Sequence, residues 1–504
     1  MHLSLFLTYF FVSLLFFLLL KSIYSFIWVP YRLQAQFIRQ GLRGPPRRLI
    51  NGNAGDAREL IAKAQADPLP LGHDIVRRVI PQYYHWSKIY GKTFIYWFGT
   101  TPRLAIGESE LIKEVLMNSG GAFEKLTMNP LSRQLLGNGV VNLKGEKWAQ
   151  HRKIANSVLN MERVKGWVPW IVDSCEKMLE RWEREGEKAR EFELEVFGEL
   201  QNLTSDVISK AAFGSSYEEG KLVFQLQGQQ TYLVSQALRT LYIPGFRFLP
   251  TKKNIMRWKL DTKIRDSLRK LIQKNGEVSR NSGNLLDVMI LANKNEAEGE
   301  RIGNDEMIDE CKTFHFAGKE TSANLLTWTL LLLAMHPEWQ RKAREEVLSV
   351  CGPLEPPSIE SLNHLKTVGM ILNETLRLYP PAVMLMRETC KDVKLGNFDV
   401  PAGTQIYLPM IAVHHDPDLW GEDAGEFNPL RFSDARKNLG AFFPFGLGPR
   451  ACAGPNLSLV ESKIALSMIL RRFSFSVSPA YAHAPMFVIT LYPQYGVHVL
   501  FQKI

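Results

Sequence analysis

Between Phe445 and Gly454 the chain reads Phe-Gly-Leu-Gly-Pro-Arg-Ala-Cys-Ala-Gly, which sets one cysteine, Cys452, in a glycine-rich turn with Phe445, Gly448, Arg450 and Gly454 at fixed offsets. That is the spacing of a loop that holds a haem iron through a single cysteine thiolate. A thiolate ligand pushes electron density onto iron and favours O–O cleavage, so the chemistry implied is oxygen activation rather than oxygen carriage. The glycines let the backbone turn sharply and lie against a flat macrocycle. An apolar, helix-patterned run from Asn456 to Leu470 follows, so helix-end potential and backbone N–H groups can stabilise the thiolate. Taken alone, Cys452 reads equally well as a buried structural thiol, the usual state of a free cysteine.

Four further constellations precede it. Trp148 and Arg152 stand four apart, on one helix face. Ala317-Gly318-Lys319-Glu320-Thr321-Ser322 puts an acid beside a hydroxyl inside a helical pattern, Glu374 and Arg377 are an i, i+3 pair, and Phe427, Pro429, Arg431 and Phe432 form the last group. In this order, from Trp148 to Gly454, the motifs resemble those of the cytochrome P450 family: its Trp-x-x-x-Arg, its oxygen-side helix signature, its Glu-x-x-Arg and its Phe-x-Pro-x-Arg-Phe. Leu430 stands where many members carry glutamate. Five separated motifs in one order exceed coincidence, although Glu-x-x-Arg alone carries no weight.

The resemblance implies an α+β, mainly helical fold, with a helix-rich domain, a small β-sheet domain and an N-terminal transmembrane helix. It implies haem b ligated by Cys452, cradled by Phe445, Gly448 and Gly454, with its propionates on Trp148, Arg152, Arg387 and Arg450. Glu320 and Thr321 would deliver the protons that oxygen activation consumes. Glu374, Arg377 and Arg431 would be structural, since a buried trio ties their helix to the loop before the haem segment. Electrons would come from NADPH, indirectly, through NADPH-cytochrome P450 reductase.

The elements that must position these residues follow from pattern. The oxygen-side helix is expected to start at Asn304, a good N-cap before Asp305 and Glu306, and to run to His336 ahead of Pro337. Gly318 in its interior loses about 1 kcal/mol against alanine, which suggests a close approach of haem or dioxygen. Thr321 can hydrogen-bond a carbonyl one turn back. Lys147, His151 and Lys153 read as a solvated basic face, and His414, His415 and Asp416 match no metal spacing. Strands are expected at Lys92–Phe98 and Arg103–Ile106 as a hairpin, again around Val393–Leu408, and as a terminal hairpin within Phe487–Phe501. Most of Glu108–Ser349 reads as helix.

At the N-terminus, Leu3–Leu20 is almost wholly apolar and the character resumes through Val29, enough to cross ~30 Å of hydrocarbon. No basic residue precedes it and no small-x-small cleavage site follows, so it reads as an anchor rather than a cleaved signal. Arg32, Arg39, Arg43, Arg47 and Arg48 should keep the following flank cytoplasmic. The expected organisation is therefore 1–29 anchor, 30–50 basic and Pro/Gly-rich linker, which in the family is a hinge, and 51–504 haem-thiolate catalytic domain. The expected location is the endoplasmic reticulum membrane, single-pass, with a cytosolic body. Sequons starting at Asn202, Asn373 and Asn456 then read as accidental.

Five cysteines without paired spacing argue against a disulfide framework. Lysine and arginine number 61 against 51 acidic residues, a net charge of +10 suited to an acidic redox partner or anionic lipid; no basic and aromatic array points to nucleic acid. The phrases at 212–216 and 243–250 resemble a plant branch of the family that includes brassinosteroid side-chain hydroxylases, cytokinin hydroxylases and secologanin synthase. That resemblance implies a small apolar substrate: a terpenoid, steroid hormone or fatty acid. Three function classes compete: monooxygenase, haem-thiolate isomerase or dehydratase, and non-catalytic membrane-anchored ligand-binding haem protein. Retention of both Glu320 and Thr321 favours the first.

Overall fold

The computed structural model describes residues 2–127, 129–186, 191–214, 217–238, 242–243, 245–277, 284–293, 301–353, 355–434 and 440–504. The chain divides into two compact units. The first comprises Met1–Ala64, Ile80–Leu126 and Met384–Pro409; the second comprises Gln65–Val79, Thr127–Val383 and Met410–Ile504.

The first unit begins with the apolar helix His2–Ile23, which passes through a π turn, Tyr24–Trp28, into the helix Val29–Arg39. The stretch Leu5–Arg39 is long and apolar enough to span a membrane and is a candidate anchor. Pro30 accounts for the π turn. It has no N–H to give the carbonyl of Phe26, the Val29 N–H bonds instead to Tyr24 O, and Arg47 returns to donate to Phe26 O at 2.7 Å and Leu49 O at 2.8 Å. The Arg47 guanidinium lies 5.1 Å from the Trp97 ring centroid, and Trp97 Nε1 donates to Gln34 Oε1. Phe37 is fully buried, and Gln40 exchanges hydrogen bonds of 3.1 and 2.5 Å with the backbone of Asp399. The first part of the 30–50 segment is thus a docked helix, and the chain becomes irregular around Gly44-Pro45-Pro46.

A five-stranded sheet completes this unit. Phe94–Phe98 and Thr101–Ala105 form the expected hairpin, with Phe98 opposite Thr101 and Gly99 at φ 64° in the turn. Thr101–Ala105 runs parallel to Gln405–Leu408, which pairs antiparallel with Leu385–Thr389, and Phe123–Glu124 closes the edge. Val393–Leu395 and Phe398–Val400 make a separate small hairpin.

Among the described residues the second unit is mainly helical, with two small sheets. The helix Asn304–Met335 runs through its interior, and every residue from Leu325 to Leu333 is buried. Its cap is Gly303, whose N–H donates to Glu306 Oε2 at 2.8 Å, so Asn304 is the first helical residue rather than the cap, and His336 closes the C-terminal end. The terminal hairpin expected within Phe487–Phe501 does not form as one unit. Leu491–Pro493 pairs with Pro485–Phe487, whereas His498–Lys503 lies between Phe473–Val477 and Glu191–Glu195. Packing of Phe192, Phe473 and Phe501 on one another, with centroids 5.8 Å apart, rewards that long-range pairing. Of the two phrases that suggested a plant branch, Ser215, Ser216 and Pro244 lie outside the described residues.

Candidate active site

The Cys452 segment is built by backbone geometry. Gly446 at φ 71° and Gly448 at φ 69° occupy the left-handed region that L side chains rarely adopt. Gly448–Arg450 forms one 3₁₀ turn, and the Cys452 N–H closes the loop on Phe445 O at 2.8 Å. Cys452 is exposed, and its Sγ accepts the Gly454 N–H at 3.4 Å. Pro455 then opens the helix Pro455–Arg472, where a missing N–H costs nothing.

The helix Gly145–Val158 brings two predicted residues to this loop. Arg152 donates to Ala451 O at 2.5 Å and to Cys452 O at 3.2 Å. The Arg450 guanidinium stacks 4.0 Å from the Trp148 centroid and donates to Leu143 O at 2.7 Å. Burial lowers the pKa of Arg152, and the neighbouring Cys452 opposes that shift. The structure therefore gathers Trp148, Arg152, Phe445, Gly448, Arg450, Cys452 and Gly454. Arg387 lies in the first unit, buried in the strand Leu385–Thr389 opposite Ile406, with Nη1 donating to Met386 O at 2.9 Å.

The donor set fits an iron-bound macrocycle with acidic side chains. A single thiol has an N–H aimed at its sulfur, and two guanidiniums and an indole are gathered around it.

On the helix Asn304–Met335, Thr321 Oγ1 donates to Ala317 O at 2.7 Å, the one-turn-back bond expected. Glu320 is buried against the helix Val196–Phe213, where Gln201 Nε2 donates to both its oxygens at 3.2 Å. Lys319 Nζ stands 3.6 Å away. Burial pushes the Glu320 carboxyl up, against the pull of Lys319 and Gln201. Gly318 has a packing reason for its missing side chain: a Cβ there would come within 2.6 Å of Ile208 Cγ1 and 2.7 Å of Cδ1. The close approach it permits here is between two helices. Ser322 Oγ meets Ser458 Oγ at 3.3 Å, tying this helix to the one that follows Cys452.

Glu374 and Arg377, both fully buried on the helix Lys366–Leu378, form a two-point ion pair with both contacts at 2.7 Å. Arg431 Nε approaches Glu374 Oε1 to 3.5 Å. Arg377 also donates to His414 O, Ala424 O and Glu426 O, at 2.8, 2.7 and 3.1 Å, so one guanidinium organises the chain before the Cys452 loop. His414 accepts the Phe443 N–H at 3.0 Å and His415 bonds Leu378 O at 2.8 Å. Burial depresses both to about 3, so each is a neutral fastener.

Four residues escaped sequence reasoning: His151, Glu310, Glu461 and Gln201. His151 belongs to no solvated face: it is buried, with Nδ1 2.6 Å from Glu310 Oε1. Glu461, buried in the helix after Cys452, is pushed up to about 8 by burial. Gln201 holds Glu320. A lone acid in a largely apolar helical stretch was the available signal for Glu461, but it names no partner; Glu310, beside Asp309 and close to Lys312, carries no such signal.

A family profile described as cytochrome P450 matches residues 75–492. The chain belongs to the cytochrome P450 family, and is a haem monooxygenase, an oxidoreductase whose iron is held by a cysteine thiolate. It is similar to cytochrome P450 734A1 of Arabidopsis thaliana, 45% identical over 491 residues that cover 95% of this chain and 93% of the relative. Cytochrome P450 CYP72A616 of Paris polyphylla is also 45% identical, over 490 residues, 95% of this chain and 94% of that one. Cytochrome P450 72A397 of Kalopanax septemlobus is 43% identical over 497 residues, 96% of this chain and 95% of its own.

Proposed function

We propose that Cys452 is the iron ligand of a membrane-anchored monooxygenase that inserts one oxygen atom from dioxygen into a small apolar substrate, a terpenoid, steroid hormone or fatty acid. The observation that carries the ligand assignment is the Gly454 N–H at 3.4 Å from Cys452 Sγ, in a loop whose carbonyls Arg152 has already clamped. The haem, when bound, supplies oxygen activation and insertion.

The chain's own residues divide the remaining work. Arg152 and Arg450 each give part of a five-donor guanidinium to backbone carbonyls, and both, with Trp148 and Arg387, are assigned to the propionates. Phe445, Gly448 and Gly454 shape the cradle. Burial raises the affinity of the Glu320 carboxyl for a proton, against the pull of Lys319 and Gln201, and Thr321 Oγ1 is fixed by its donation to Ala317 O, leaving its lone pairs to accept. A hydroxyl so held supports proton delivery and favours monooxygenation over peroxide rearrangement, which needs no delivered proton. Glu374, Arg377 and Arg431 hold the preceding chain in place.

The same reading places residues 1–29 as the anchor, 30–50 as the connection and 51–504 as the catalytic domain, on the cytosolic side of the endoplasmic reticulum. Electrons come from NADPH through NADPH-cytochrome P450 reductase. The arginines after the apolar span support the orientation.

The test is the difference spectrum of the reduced, carbon-monoxide-bound protein, wild type beside Cys452→Ala. A thiolate-type Soret band confined to wild type supports the ligand; its persistence in Cys452→Ala refutes it. With reductase, Thr321→Ala should consume NADPH with little product, and unchanged coupling would count against the proton path.

A further inference from the structure

His151 and Glu310 form a buried pair that the haem-thiolate reading leaves without a task. Both are 2% exposed. Glu310 Oε1 takes His151 Nδ1 at 2.6 Å and the Val140 N–H at 2.7 Å. The neighbouring Thr313 Oγ1 donates to Leu136 O at 2.6 Å, so one stretch of the Asn304–Met335 helix grips both ends of the 136–140 segment. Gly139 is what allows the approach: a Cβ there would lie 2.6 Å from Glu310 Oε2 and 2.5 Å from Thr313 Oγ1.

Two routes lead from this grip to the cysteine loop. The first is rotational. His151 and Arg152 are adjacent on one helix, about 100° apart around its axis. With His151 pinned to Glu310, Arg152 is aimed at Ala451 O and Cys452 O. A 10° turn of that helix would move a side chain ~5–6 Å from the axis by about 1 Å, enough to break a hydrogen bond of 2.5–3.2 Å. The second route is along the chain: Val140, fixed by Glu310, is three residues from Leu143, whose carbonyl holds Arg450 at 2.7 Å.

We propose that Glu310 is a positioning residue for the Cys452 loop, acting through His151 and the 137–143 segment to fix where Arg152 and Arg450 donate around the thiolate. The inference rests on Cys452 being the iron ligand.

The test uses the full-length, haem-bound protein and reads two quantities besides turnover. One is the fraction of reduced, carbon-monoxide-bound protein showing the thiolate-type band; the other is the rate of haem transfer to an excess of apomyoglobin. Glu310→Ala should speed haem loss about tenfold, the worth of one hydrogen bond to a charged group, and lower the thiolate fraction. Glu310→Gln, which keeps an acceptor for both donors, should restore both. Replacing the pair together, Glu310→Met with His151→Phe, separates positioning from stability, because an apolar pair can recover thermal stability but cannot aim Arg152. That double variant should melt near wild type and still lose haem quickly, and it carries the test if Glu310→Ala does not fold. Combining it with Arg152→Gln should add little, because both act on one set of bonds. Wild-type haem loss and thiolate fraction in a folded double variant, or full additivity with Arg152→Gln, overturns the proposal. A thiolate band surviving in Cys452→Ala would overturn the ligand reading instead.

Discussion

Removing the carboxylate of Glu374 should be among the costliest single changes in this chain. Its two oxygens accept from Arg377 at 2.7 Å each, and Oε1 also takes the Asn428 N–H at 2.9 Å. Arg431 Nε stands 3.5 Å away. In Glu374→Ala, Arg377 remains fully buried with three carbonyls and no anion, Arg431 faces it with less compensation, and the Asn428 N–H is stranded. An uncompensated buried charge costs ~3–5 kcal/mol, against a typical total stability of ~5–15 kcal/mol. The stranded amide overlaps with that figure and is not added to it. For a chain of this size the shift in midpoint is about 3–5 °C. Thermal unfolding of detergent-solubilised, haem-bound protein, followed by the Soret band, reads it. Arg377→Met should cost less than Glu374→Ala, because Glu374 keeps Arg431 and Asn428, and Glu374→Gln should fall between Ala and wild type. A Glu374→Ala midpoint within 2 °C of wild type would show that the ion pair is not what holds the 414–428 chain in place.

Three further outcomes are expected. Gly318→Ala should destabilise although alanine favours helix by about 1 kcal/mol, because overpacking against Ile208 costs ~1–3 kcal/mol; pairing it with Ile208→Ala should recover part of the loss, and a stabilised single variant in thermal unfolding would contradict the contact. Glu461 has a folded pKa of about 8, above the ordinary carboxyl value. The folded state then binds the extra proton, so its contribution is full at low pH and is lost as pH rises toward 8, by about 1.4 kcal/mol per unit; Glu461→Gln should flatten the fall in melting temperature between pH 5 and 8, and parallel curves would refute the assignment. Arg47→Met should free the Phe26 carbonyl and broaden the spin-label distance distribution between the 29–39 helix and the sheet strand at 94–98, while Pro30→Ala, which restores the N–H, should narrow it again; an unchanged distribution in Arg47→Met would mean that Gln34 and Phe37 suffice.

What was legible in the sequence is what the chemistry forces to be contiguous. The Cys452 loop must turn within ten residues, so its glycines, cysteine and the helix behind it stand at fixed offsets. Thr321 to Ala317 and Glu374 to Arg377 are one helical turn apart, and periodicity alone puts them in reach. The partners that were not legible are set by packing across the chain. Glu310 reaches His151 over 159 residues and Gln201 reaches Glu320 over 119, and nothing local to either side names the other. His151 shows the limit clearly. Flanked by Lys147, Arg152 and Lys153, it reads as part of a charged face, yet one step of about 100° around the helix separates an arginine aimed at the cysteine loop from a histidine sealed against a buried acid. Pro30 lies between these cases: its missing N–H predicts an orphan carbonyl at Phe26, and the identity of the donor, Arg47, follows only from the fold. The same division explains the terminal strands, where Phe487–Phe501 carries the right residue types but pairing is decided by Phe192, Phe473 and Phe501 meeting from three distant segments. Local spacing therefore locates the chemistry, and long-range burial decides which of its neighbours hold it in place.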